Sequence, residues 1–160
     1  MRKQSTDTRS EGAWINNDFV RLWSRLLSCE RSIEQRLRSH LSTNFDITLP
    51  QFEVLCELDR CDSPVVMSRL SEQLKVTSSN ITGVVDRLEL KGLVKRFRSS
   101  KDRRVQYIEM TDAGQTAFTG IAADNAVYFA RAFKELTDKD VIQLQKLLQK
   151  ANVSAVNSLT

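Results

Sequence analysis

Two adjacent guanidinium groups, Arg103 and Arg104, follow a carboxylate, Asp102, in the stretch SSKDRRVQYIEMTDAG that spans residues 99–114. A guanidinium stays charged and presents its donors as a planar fork, so the chemistry on offer is recognition of an anion. Asp102 is an odd neighbour in such a turn unless it pairs with one arginine and fixes its direction. A bare solvated turn is the plain alternative. Further upstream stand Ser78, Ser79, Asn80 and Thr82, small hydrogen-bonding residues at the start of a helical pattern. Residues of this type cap helices by default. They also allow close approach to a bound surface, where the helix N-terminus adds amide donors and partial positive charge.

The charge distribution favours the anion-binding reading. Residues 1–65 hold 9 Lys and Arg against 10 Asp and Glu, and residues 105–160 hold 5 against 6. Residues 66–104 hold 10 against 4, so that one segment carries a net +6 in a chain whose total is +4. Base concentrated in this way is the electrostatic footprint of a polyanionic partner. Catalysis finds little support. There is one histidine, His40, with no Gly-rich phosphate loop and no nucleophile elbow. General acid–base chemistry would rest on unsupported carboxylates. Cys29, Cys56 and Cys61 form no C-x-x-C pair and no zinc pattern, which suggests reduced thiols, and no cofactor is expected. No apolar run is long enough to cross a membrane, and the opening MRKQSTDTRSEGAW lacks the apolar core of a secretory signal. The expectation is a cytoplasmic protein with no membrane partner and a flexible N-terminal arm over residues 1–11.

The elements that must position these groups are mostly helical. Phe19, Leu22, Trp23, Leu26, Ile33, Leu37 and Leu41 recur every three or four residues and predict a long amphipathic helix over residues 12–42. Its length exceeds what one small core can cover, which hints at a second chain. Thr48 and Gln51 form a capping-box pattern, with Pro50 in the first turn, for a helix reaching residue 60 with Phe52, Leu55 and Leu58 inward. Asp62-Ser63-Pro64 breaks the chain and Val65-Val66 suits a very short strand. A short helix over residues 68–75 follows, with Leu70 and Leu74 inward. The next helix covers residues 78–91, capped by Thr77 and stopped by Gly92, with Ile81, Val84, Val85 and Leu88 inward. Residues 93–98 and 105–110 make a hairpin around the arginine turn. Thr111 caps a fifth helix that offers Phe118, Ile121, Ala122, Phe129, Ala132 and Phe133 for packing. Thr137 and Asp140 open a sixth with the stripe Val141, Leu144, Leu147, Leu148 and Ala151.

The fold class is therefore mainly α with a small β-wing: a winged helix-turn-helix domain plus N- and C-terminal helices. In such a unit the second helix suits the major groove of double-stranded DNA, and the hairpin lies beside a minor groove whose negative potential attracts arginine. A winged helix that binds protein instead is the competing reading, and it has no need of a concentrated basic face.

Residues 48–114 resemble the MarR family of bacterial transcription regulators. The matching pieces are TLPQFEVLCEL, RLSEQLKVTSSNITGVVDRLELKGLVKR and the wing SSKDRRVQYIEMTDAG. The family's Asp-x-Arg wing signature, followed by a strand and Leu-Thr, appears as Asp102-Arg103-Arg104 and Met110-Thr111, with Met in place of Leu. The resemblance implies a homodimer on a pseudo-palindromic operator, most often a repressor. Residues 12–47 and 111–160 would form the dimerisation lobe, and residues 48–110 the DNA-binding domain. Arg104 would enter the minor groove, oriented by Asp102. Arg103 would contact a phosphate, and Arg87 a phosphate or the wing. Lys95, Arg96, Arg98 and Lys101 would raise affinity without specifying sequence, or simply be solvated.

The resemblance also implies release by a small aromatic or carboxylate effector bound between the lobes. Trp23, Arg36, Arg38, His40, Phe45 and Phe52 are the candidates around that cleft. Trp23 and Phe52 are also readable as plain core, and His40 as a solvated residue near a helix end. Some members use a cysteine in the first helix as a redox sensor. Here Cys29 lies well inside that helix without an assignable basic or tyrosine partner, so a structural thiol is the better reading.

Overall fold

The computed structural model describes residues 17–158. The arm expected over residues 1–11, and the first turn of the expected N-terminal helix, lie outside the described residues. Six helices and three short strands follow in order: α1 (Asp18–Phe45), α2 (Leu49–Asp59), β1 (Val65–Val66), α3 (Met67–Gln73), α4 (Ser78–Leu90), β2 (Val94–Arg98), β3 (Gln106–Met110), α5 (Asp112–Ala132) and α6 (Asp138–Ser158). Two compact units divide between Phe118 and Thr119, inside α5.

In the first unit the local signals act where they stand. Thr48 and Gln51 complete a capping box, the Gln51 side chain accepting the Thr48 N–H at 2.8 Å. Gln51 is buried by this role, 3% exposed. Thr77 caps α4 by accepting the Asn80 N–H at 3.4 Å. Gly92, at φ 69°, ends that helix in the left-handed conformation that costs glycine no Cβ clash. The core joins Leu37 and Leu41 of α1, Val54, Leu55 and Leu58 of α2, Leu70 of α3 and Ile81, Val85 and Leu88 of α4. Val65, Val94 and Ile108 close it from the sheet, whose order is β1-β3-β2. Both pairings are antiparallel, with Val65 opposite Ile108 and Arg96 opposite the same Ile108. Each fully buried Leu, Ile or Val contributes about 1.5–3 kcal/mol, so this cluster fixes how α4 sits against α2, α3 and the hairpin. Phe52 is half-buried and stacks on Phe118 with centroids 6.0 Å apart, as its core reading expects.

Three expectations change. The first helix begins at Asp18, behind an extended Asn17 whose side chain accepts the Phe19 N–H, and runs on to Phe45 rather than stopping at residue 42, so His40 lies within it and is half-buried. Asp46 then terminates it at φ 51°, held by Lys91, whose Nζ donates to the Asp46 carbonyl and to Oδ2 at 2.5 Å. Trp23 is not core in the single chain: it is 60% exposed, beside Phe19 at 81% and Leu22 at 51%. The two helices of the helix-turn-helix are also shorter than expected, α3 stopping at Gln73 because Leu74 and Lys75 turn out of it, with Lys75 at φ 52°.

In the second unit, the Thr137 and Asp140 side chains cap α6 reciprocally. No residue of α6 is buried, and Leu144, Leu147, Leu148, Val153 and Val156 are 41–61% exposed. The predicted stripe exists but is uncovered in one chain.

Candidate nucleic-acid interface

At about 100° per residue, α4 presents three faces. Ile81, Val85 and Leu88 turn into the core. Ser78, Thr82, Asp86 and Glu89 follow one another at spacings of three and four along a second face. Asn80, Gly83, Val84 and Arg87 form a third. Ser78, Ser79, Asn80 and Thr82 are all exposed, as expected of side chains that read a surface. Thr82 Oγ1 donates to the Ser78 carbonyl at 2.8 Å, and the Thr77 and Ser79 hydroxyls lie 3.2 Å apart. The start of α4 is thus ringed by hydroxyls, with the Asn80 N–H taken by Thr77.

The wing tip is organised by two side chains. Ser99 Oγ accepts the Lys101 N–H at 3.1 Å and the Asp102 N–H at 3.3 Å. Asp102 Oδ1 accepts the Arg104 N–H at 2.9 Å and its Nε at 3.3 Å. The first of these is a side-chain turn that fixes the backbone, and the second aims the guanidinium. The Arg104 side chain is 92% exposed, so it is directed outward, not buried. Asp102 therefore pairs with a wing arginine, as the sequence expects. Arg98, Lys101 and Arg103 are exposed and make no ion pair among the described residues. Ser99 escaped the sequence reading, although a serine opening a turn before Asp is a recognisable signal.

Two cations of the hairpin are not free. Lys95 pairs with Glu109 across the strands at 2.6 Å. Arg96 is the larger correction: its side chain is only 23% exposed and is shared between Asp86 and Glu89 of α4. It reaches Asp86 Oδ1 at 2.7 Å and donates Nε to Glu89 Oε2 at 2.9 Å. Hydrogen bonding from Arg96 holds the Glu89 carboxyl below its ordinary range and raises the guanidinium. Support of the wing thus comes from Asp86 and Glu89. Arg87 lines a different hollow, a groove with Pro50, Glu53, Leu74, Val76 and Asn80.

The effector candidates do not converge within one chain. Trp23 and Phe45 are 22 residues apart on one continuous helix, roughly 33 Å at the helical rise. Arg36 and Arg38 point about 160° apart around α1 by the same geometry. Arg38 is held by Glu34, and His40 meets Phe45 edge-on with centroids 6.1 Å apart. Among the cysteines, Cys29 is exposed inside α1, while burial pushes the Cys56 thiol up to about 11. Cys56 is thus the thiol that burial keeps inert, while Cys29 is accessible rather than part of the core. No group of three or more His, Cys, Asp or Glu among the described residues is placed to hold a metal ion. None of the described helices is long and apolar enough to cross a membrane.

Comparison with known proteins agrees with this geometry. The MarR family model matches residues 47–105, from just before α2 through the wing tip. The HTH-type transcriptional regulator YkoM of Bacillus subtilis is 32% identical over 126 residues, covering 79% of this chain and 80% of YkoM. The HTH-type transcriptional repressor MdtR of the same organism is 33% identical over 104 residues, 65% of this chain and 66% of MdtR. Among solved structures, a mutant MarR from E. coli complexed with operator DNA superposes with a TM-score of 0.73 at 28% identity, covering 84% of this chain and 96% of that one. Both Bacillus relatives are HTH-type transcriptional regulators. With a helix-turn-helix, a basic wing and relatives of this length and identity, the chain belongs to the MarR family of DNA-binding transcriptional regulators.

Proposed function

We propose that the protein represses transcription as a homodimer on a pseudo-palindromic operator, with α4 in the major groove and the wing in the adjacent minor groove. The observation that carries this reading is the Asp102–Arg104 pair, which aims an exposed guanidinium from the tip of a hairpin rooted beside α4. Ser78, Ser79, Asn80 and Thr82 supply short donors and acceptors for base edges and phosphates, and Arg87, Arg98, Lys101 and Arg103 supply phosphate contacts. Residues 48–110 then form the DNA-binding domain, and residues 12–47 and 111–160 the dimerisation region. Support for the dimer comes from the uncovered apolar faces of α1 and α6.

The work takes place in the cytoplasm, where the DNA is. A small aromatic or carboxylate effector releases the operator by preferring the conformation that does not bind DNA. His40 and Phe45, already in ring contact, are the first effector residues to test.

The test is fluorescence anisotropy of the protein on DNA from upstream of its own gene, against scrambled DNA, in a salt series. Specific binding with a steep negative salt slope supports the reading. Equal binding to both sequences refutes operator recognition at that site. Absence of binding at low salt returns the winged helix to a protein partner.

A further inference from the structure

The strand β2 is an edge strand, and the backbone N–H of Arg96, in its middle, is taken by a carboxylate of α4. Glu89 accepts that N–H at Oε1 (3.3 Å), the Arg96 Nε at Oε2 (2.9 Å) and Nη2 as well. Asp86 takes Nη1 at 2.7 Å. Every nitrogen of the guanidinium is thereby engaged, and the middle of the strand's open edge is capped. Asp86 and Glu89 lie on the same face of α4 as Ser78 and Thr82, the residues read above as surface contacts. Two bare carboxylates on that line would repel a polyanion, and the single charge of Arg96, shared between them, offsets half of that from the wing side.

We propose that Arg96, Asp86 and Glu89 act as a positioning clamp that sets the angle of the wing against α4. The clamp makes minor-groove reading depend on a helix that lies in the major groove. This inference rests on the DNA-binding geometry proposed above. It assigns Arg96 a role without DNA contact, against the simpler view that every cation of the hairpin touches phosphate. Lys95 differs, because its partner Glu109 lies in the hairpin itself and ties nothing to α4.

The two views differ in which groove loses protection. If Arg96 is a phosphate ligand, removing its carboxylate partners frees it and leaves both grooves protected. If it is a clamp, the same change loosens the wing, and minor-groove protection falls about tenfold relative to major-groove protection, the scale of one weakened charge-assisted pair per wing. The test compares wild type with the Asp86→Asn, Glu89→Gln double variant on the DNA upstream of the gene. Hydroxyl-radical footprinting reads the minor groove, and guanine-N7 methylation reads the major groove. The expected result is loss of minor-groove protection with major-groove protection retained at matched occupancy, in a protein of unchanged helicity. Should the double variant melt early, Asp86→Asn alone, which leaves the Glu89 pair in place, must show the same split at smaller amplitude. Parallel loss of both protections overturns the clamp. A wild type that protects no DNA overturns the underlying reading and the clamp with it. A protecting wild type whose variants keep the minor-groove pattern overturns the clamp alone.

Discussion

Replacing Arg104 by alanine removes the guanidinium that Asp102 holds at the wing tip and leaves the Ser99-built turn in place. The side chain is 92% exposed, so nothing in the folded chain is left unsatisfied and stability changes little. Binding is another matter. A well-placed arginine on DNA is worth about 1–3 kcal/mol, and the proposed dimer carries two wings, so the loss is about 2–6 kcal/mol or roughly 30-fold to 10⁴-fold in affinity. Lys101 stands three residues away, equally exposed but unheld. Its removal costs at most one phosphate interaction per wing, felt alike on all sequences as a salt slope shallower by about 0.9 for each phosphate no longer neutralised. Asp102→Ala falls between them, because a freed arginine must give up at most about 2 kcal/mol of rotamer entropy on binding. The assay is anisotropy on specific and scrambled DNA at two salt concentrations, with a thermal melt of each variant. Equal, small losses from Arg104→Ala and Lys101→Ala would refute the minor-groove role.

Three further outcomes are expected. Gly114→Ala destabilises the protein severely, because a Cβ there overlaps the Leu93 carbonyl oxygen and lies 2.9 Å from its carbon. About 3 kcal/mol or more of lost stability, or failure to fold, should appear in a denaturant titration. Leu148→Glu on the uncovered stripe of α6 yields a monomer by sedimentation velocity, and a dimer of unaltered strength would show that the stripe lies outside the interface. With the Cys56 thiol pushed up to about 11, only about one part in a thousand is thiolate at pH 8, so alkylation reaches exposed Cys29 first. Cys56 should gain about tenfold in rate for each pH unit toward 11, and mass spectrometry of partly alkylated protein distinguishes the two.

The features legible in the sequence were those whose causes lie within a few residues. Thr48 with Gln51, Thr77 with Asn80 and Thr137 with Asp140 each close a cap over three positions, and all three stand where expected. The Asp102–Arg104 pair is equally local. The end of α1 was not legible, because the apolar stripe ends at Leu41 while the real stop is the left-handed Asp46. Lys91, 45 residues further along, secures it. Trp23 was misread as core because helical periodicity reports that a face will be covered without saying by what. Arg96 looked like any wing cation. Its partners come from another element, and the one visible sign was two acids three apart on a helix otherwise suited to DNA.

The uncovered stripe of α6 has a consequence for how stability should be expressed. A helix of 21 residues with nothing buried is marginal in water by itself. In the proposed homodimer a second copy covers it, and there the free energy that keeps it helical is an association energy that scales with the logarithm of protein concentration. A melting temperature then has meaning only beside the concentration at which it was measured. Any change in how much of the chain a cell holds changes the folded fraction as well as the number of molecules.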